Sequence, residues 1–154
     1  MSPSARLLGT GALLGGVAVA LNYPWEMLQG SLYTLPSSAA LHWWLCFRAS
    51  LGDAGLVLLL FALWGAARRR LDWGLERADL QDLPGIAAAG AILGAGVEWL
   101  SVHAWHRWGY RQRMPLIPVL EIALVPVVQM SLLTTAIFWL AAASSSRLAQ
   151  RKNR

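Results

Sequence analysis

Three observations make this sequence an all-α protein, a bundle of four transmembrane helices joined by short loops. Hydrophobic residues make up 56% of the 154 and charged residues only 14%, against about 25% charged in a typical water-soluble domain. Four apolar stretches, at about 7–28, 45–67, 84–104 and 116–143, each reach the ~20 residues that carry a helix across a bilayer. The basic residues then sort by side. Arg6, Arg68, Arg69, Arg70, Arg77, Arg147, Arg151, Lys152 and Arg154 fall on one face of a four-span chain, and Arg48, Arg107, Arg111 and Arg113 on the other. That asymmetry places both termini in the cytoplasm of a multi-pass protein of a bacterial inner (plasma) membrane. The net charge of +5 therefore speaks of membrane lipid headgroups and topology, with no nucleic acid among the expected partners.

The first segment has the ingredients of a signal peptide: a basic residue near the start, an apolar stretch and Ala18-Val19-Ala20. Its apolar stretch runs on to Leu28, however, and the charge count balances only if the segment is kept. It is read as the first span, loosened near its outer end by Pro24. Turn residues follow at Pro36, Ser37 and Ser38, either serine being placed to cap the next helix. One straight helix from Ala39 to Ala67 would be about 44 Å long, more than a bilayer core requires. An interfacial helix that turns into the second span near Gly52 is expected instead.

The second span stops at Arg68-Arg69-Arg70. The acidic loop after it reads as a short amphipathic surface helix, and Pro84 sits at the start of the third span. The outer loop between spans three and four is short, basic and aromatic. Pro118 and Pro126 predict a bent fourth span. Five of the nine tryptophans, Trp25, Trp43, Trp44, Trp105 and Trp108, fall near the outer surface as interfacial anchors. Gly11-xxx-Gly15 and Gly90-xxx-Gly94 predict that spans one and three pack closely in the cytoplasmic half and leave space above.

That space matters because polar side chains lie at its level. Asn22, Asp53, Glu98 and Gln129 occur in four different spans, each ~21–24 Å from the inner face at about 1.5 Å per residue. Ionisable groups at such depth face a bundle interior or a wet cavity. Asp53 and Glu98 have no lysine or arginine at their own level, although Arg48 and Arg111 lie just outside. Two unlike carboxyls suit proton transfer. Asn22, Glu26, Gln29 and Tyr33 recur at helical spacing and share one face. The candidate catalytic residues are thus Asp53, Glu98 and Glu26. Asn22, Gln29 and Gln129 are candidates to orient a substrate, with Tyr110 or Arg111 over the entrance. The readings beside this one are a buried structural hydrogen-bond network and, for Glu26, an interfacial residue paired with an arginine.

His103 and His106, spaced i, i+3, together with Glu98 offer three atoms to a metal, but a basic aromatic interface accounts for them and no metal is assigned. The single cysteine, Cys46, reads as apolar filler. The sequence has no P-loop, dinucleotide fingerprint, nucleophile elbow or HExxH, so no cofactor is expected.

The string NYPWEMLQ at residues 22–29, with Ser50-Leu51-Gly52-Asp53, Glu98-Trp99, Met114-Pro115 and Pro126-Val127-Val128-Gln129, resembles a small family of uncharacterised bacterial four-helix integral membrane proteins, a likeness that implies the fold and no activity. The N-x-x-W-E element at Asn22, Trp25 and Glu26 is similar to one in integral-membrane terpene cyclases. That likeness implies Glu26 as an acid, with Asp53 or Glu98 as its partner, acting on an isoprenoid. This chain is shorter than those cyclases and has fewer spans. The expected function is acid–base chemistry on a lipid-soluble or isoprenoid-like hydrophobic small molecule. The alternatives are a non-enzymatic subunit or assembly factor of a membrane complex, and a proton-coupled carrier working as a homo-oligomer.

Overall fold

A computed structural model describes residues 3–34, 38–69 and 80–152. It is built on four long helices: α1 (Pro3–Gln29), α2 (Ala39–Ala67), α3 (Leu83–Trp99) and α4 (Leu124–Lys152). Two segments, Ala39–Ala67 and Leu83–Ala104, are long and apolar enough to cross a membrane. Leucine, isoleucine and tryptophan side chains stand exposed on the outer faces, Leu28 at 78% and Ile92 at 74%. Asn22, Glu98 and Gln129 are buried at 1–3%. Several polar side chains are thus turned inward while many large apolar ones stand outside, a surface unlike that of a typical water-soluble domain.

Several expectations are corrected by the helix boundaries. α2 runs unbroken through Gly52, so no separate interfacial helix precedes the second span. Ser38 occupies the cap position with extended backbone but makes no side-chain cap; its carbonyl accepts from His42 N at 2.9 Å. Ser37 and most of the acidic loop proposed as a surface helix lie outside the described residues. The stretch 116–123 is not helical. Leu116–Ile117 (β1) and Ile122–Ala123 (β2) form an antiparallel hairpin whose turn places Glu121 in the left-handed region at φ 51°. Pro118 falls in this turn and Pro126 in the first turn of α4, where a missing N–H costs no helical bond. Neither proline can bend the helix interior. Pro24 does lie inside α1, and the helix carries on to Gln29.

α3 ends in a π-helical turn, Leu100–Ala104, closed by Trp105 N donating to Leu100 O at 2.9 Å. The wider turn is followed by His106 at φ 49°, which redirects the chain into the outer loop.

Helix pairing also differs from expectation. α1 packs on α2 and α3 on α4, and α1 against α4 joins the two pairs. Gly90 and Gly94 do permit close approach, but to α4: a Cβ at Gly90 would meet the Met130 carbonyl oxygen at 2.6 Å. Gly11 has open space around it and Gly15 faces Leu58 of α2. Spans one and three therefore do not close the bundle through these glycines.

The interior has three tiers. Leu14 and Ala18 of α1, Val57, Leu60 and Phe61 of α2, Ile86 of α3 and Ile137 and Phe138 of α4 form an apolar core. Within it the rings of Phe61 and Phe138 stack at 6.1 Å. Next along α1, α2 and α4 come Asn22, Glu26, Gln29, Asp53 and Gln129. Beyond them a cap of loop residues closes that end, with Tyr33, Met114 and Ala123 buried together.

Candidate functional site

The three polar residues of α1 reach one point because their spacing is helical. Asn22, Glu26 and Gln29 lie at i, i+4 and i+7, one face of a 3.6-residue turn. That face meets α4 at Gln129. The Gln129 amide nitrogen lies 2.8 Å from Glu26 Oε1, 2.9 Å from Asn22 Oδ1 and 3.0 Å from Asp53 Oδ2. Gln29 Nε2 donates to Glu26 Oε1 at 2.6 Å and to Gln129 Oε1 at 2.8 Å. Asn22 Nδ2 turns back to the Ala18 carbonyl at 2.9 Å. Three helices are joined by this one set of amides and acids.

The Glu26 and Asp53 carboxyls are brought together on one donor, the Gln129 amide nitrogen. The donor count then bears on their protonation. Gln129 has two amide hydrogens for three oxygens, and no ion pair reaches Glu26, Asp53 or Glu98 among the described residues. Arg48 and Arg111, expected to lie just above, are exposed and pair with none of these acids. A shared proton is the simplest way to complete the set.

Glu98 sits beside this network and is held by other groups. Its Oε1 accepts from the Tyr110 hydroxyl at 2.7 Å, the Trp108 indole N–H at 3.3 Å and the Tyr33 hydroxyl at 3.4 Å. Asp53 and Glu98, which the sequence sets at one depth, thus have different partners: Asp53 shares the Gln129 amide nitrogen with Glu26, and Glu98 is held by the three aromatic donors.

The aromatic donors are placed by the outer loops. α1 gives way to a 3-10 turn at Gly30–Leu32, and the strand-like residues after it pair with the far loop. Tyr33 bridges Tyr110, Thr34 N donates to Gly109 O at 3.0 Å and Arg111 N to Leu32 O at 2.9 Å. A Cβ at Gly30 would meet the His42 ring, which packs against this turn and would have to move aside. Tyr110 is held from both sides, accepting from Ala123 N at 3.0 Å while it donates to Glu98. Burial pushes the Tyr33 phenol well above the ordinary tyrosine range, and the Glu98 charge adds to the shift. Tyr110 moves the same way, for burial first and for its bond to Glu98 second.

Among the described residues Gln29 Oε1, on a side chain 5% exposed that also bonds Glu26, has no hydrogen-bond partner, and neither has the buried Trp25 indole N–H. One acceptor is thus left over beside Glu26. Cys46 Sγ reaches the Glu26 carbonyl at 3.5 Å and His42 Nε2 at 3.7 Å. His103 and His106 each engage a backbone carbonyl, of Leu120 at 3.1 Å and of Val102 at 3.0 Å. Among the described residues no three His, Cys, Asp or Glu side chains gather as metal ligands.

Tyr110 and Arg111 both line an open groove of about 640 Å³ at the capped end, with Ser31, Leu32, Gln112 and Arg113. The sequence reading passed over Tyr33 and Trp108 as site residues. Tyr33 was visible as the last member of the α1 face, although the helix stops short of it. Trp108 carried no signal separating it from the interfacial tryptophans. No known family, characterised protein or solved structure matches this chain.

Proposed function

We propose that this protein crosses the membrane four times, with both termini cytoplasmic, and carries out acid–base chemistry on a lipid-soluble, isoprenoid-like molecule. The observation that carries the proposal is the convergence of the Glu26 and Asp53 carboxyls on the Gln129 amide nitrogen, with no ion-pair partner among the described residues, inside a bundle whose outer faces are apolar. Ionisable groups are expensive at such a position and are kept for use. The pair holds a proton to give and an oxygen to receive one. Gln129, Gln29 and Asn22 fix the pair and orient the substrate, and Glu98, anchored by its three rings, supports it from the side. The leftover acceptor Gln29 Oε1 suits a small hydroxyl group on an otherwise apolar substrate. The likeness of Asn22, Trp25 and Glu26 to the terpene-cyclase element supports the isoprenoid-like class.

The test compares lipid extracts, by mass spectrometry, of cells that lack the protein and cells that make the wild type, Glu26→Gln or Asp53→Asn. Both variants keep side-chain shape and remove the proton site. A compound missing from the deletion strain should be missing from both variants too, with its precursor raised. If both variants restore the wild-type profile, the acids do no chemistry.

A second reading, a non-enzymatic subunit of a membrane complex, draws on the way Gln129 ties α1, α2 and α4 together. Under that reading Glu26→Gln and Asp53→Asn leave the profile intact, and a partner stays bound through purification in mild detergent.

A further inference from the structure

The groove at the capped end has a composition that the acid–base site does not explain. Of its six lining residues, Ser31, Tyr110, Arg111, Gln112 and Arg113 bring side-chain hydrogen-bond donors, and Leu32 is the apolar exception; none is acidic. Arg111 and Arg113 have no carboxylate partner among the described residues. Their backbone is fixed nonetheless. Arg111 N donates to Leu32 O at 2.9 Å, Met114 N donates to Arg111 O at 3.0 Å, and Tyr110 next to them is bridged to Tyr33. Two guanidinium groups on a pinned loop, with the Gln112 amide between them in sequence and Ser31 also in the lining, form a donor set for a tetrahedral oxyanion once the Ser31 hydroxyl gives up its long 3.4 Å bond to the Leu28 carbonyl.

Tyr110 makes the groove more than a place for a loose anion. Its side chain is a wall of the groove and also the donor to Glu98 Oε1 at 2.7 Å. Ser31 and Leu32, also in the lining, follow Gln29 of the acid network by two and three residues. The groove therefore borders Glu98 through Tyr110 and continues from the acid face of α1, and the exposed apolar side chains Leu28 and Leu116 stand nearby in sequence.

We propose that this groove binds the phosphate head of a single-chain amphiphile, whose apolar tail enters the bundle toward Glu26 and Asp53. This deepens the acid–base reading by naming its substrate class: an apolar chain ending in a phosphate or diphosphate. The arginines and Ser31 take the head and set the depth of the tail.

The experiment measures equilibrium binding, without turnover, of radiolabelled dodecyl phosphate to the full chain in phosphatidylcholine nanodiscs. Saturable binding is expected, weakened at least tenfold by Arg111→Gln with Arg113→Gln and less by the double lysine variant, which keeps charge but loses the fork. Dodecanol should compete at least tenfold more weakly than unlabelled dodecyl phosphate, and inorganic phosphate likewise. Binding that does not saturate, or that is unchanged in the double glutamine variant, overturns the proposal. Displacement by inorganic phosphate as effective as by dodecyl phosphate overturns the amphiphile and leaves a free-phosphate site. Both arginines are exposed, so the variants should keep the wild-type melting temperature, which is measured alongside. A failure of the acid chemistry shows in the lipid profiles of Glu26→Gln and Asp53→Asn, and a failure of the groove shows here, in the arginine variants.

Discussion

Gln129 reaches from α4 to within 2.8 Å of the Glu26 carboxyl on α1, and the same amide nitrogen lies 3.0 Å from Asp53 on α2. A neutral side chain from one helix thus holds two acids from two others. In lipid there is little hydrophobic drive between helices, and such interhelical bonds and close packing carry the association.

Replacing Gln129 should therefore cost more than its single bonds suggest. Interhelical hydrogen bonds average about 0.6 kcal/mol in membranes and reach about 1.7. Gln129→Leu removes several at once and should lose roughly 1–3 kcal/mol in reversible unfolding from mixed micelles. Gln129→Glu keeps the shape but exchanges amide donors for a third carboxyl among two others. It should be at least as damaging as leucine. A Gln129→Glu protein as stable as wild type would show that donation by this amide is not what holds the acids.

Two glycines of similar sequence setting should respond in opposite ways. A Cβ at Gly90 would stand 2.6 Å from the Met130 carbonyl oxygen, whereas at Gly11 nothing lies within 4 Å. Gly90→Ala must push α3 from α4, an overpacking that costs about 1–3 kcal/mol. Gly11→Ala should be neutral or gain up to about 1 kcal/mol, since glycine is the poorer helix former. Melting temperatures of the two variants, measured in one detergent, decide it.

The GxxxG pattern was legible at these positions, but its partner was not. Gly90-xxx-Gly94 announces a close approach without saying to which helix, and only the arrangement of α3 on α4 supplies that. The same limit held at the site. Helical spacing brought Asn22, Glu26 and Gln29 onto one face, and depth counting put Asp53 and Gln129 at their level. Which acid shares a partner with which depends on helix rotation, which counting along a chain does not fix: Asp53 and Glu98 lie at one depth, yet Asp53 shares the Gln129 amide with Glu26. Residues 116–123 read as helix because they are apolar. A two-residue strand leaves no periodicity to read, and Pro118 was weighed as a kink when it marked the hairpin turn.

The buried phenols should resist alkali. Tyr33 and Tyr110 are raised above the ordinary tyrosine value, chiefly by burial and further by Glu98. A raised value in the folded state means that their contribution to stability is full below the unfolded value of about 10. It falls as pH rises above that, because the unfolded chain releases protons that the folded chain keeps. Ultraviolet titration at 295 nm should find neither phenol ionised at about pH 11 in folded protein, and both ionised after unfolding. Tyr33→Phe and Tyr110→Phe should leave the folded-state titration below pH 11 unchanged while flattening the loss of stability above pH 10. A folded-state signal that disappears in either variant would place that phenol in open solvent.

Glu98 tests whether the cap depends on one oxygen atom. Oε1 accepts from Tyr33, Trp108 and Tyr110, so the three rings converge on a single acceptor. Glu98→Gln keeps an oxygen there and should cost no more than about 1 kcal/mol, near the value of one ordinary hydrogen bond. Glu98→Leu strands three donors, with a penalty of about 1–3 kcal/mol for each that water does not reach, and should lose at least about 2 kcal/mol, less being lost at Tyr110, which borders the open groove. The loss should not be additive with Tyr110→Phe, because phenylalanine removes one of the stranded donors. The double variant should be more stable than the sum of the two single losses predicts. Additive losses would mean that Tyr110 is held by Ala123 N and the hairpin, with Glu98 contributing nothing to its position.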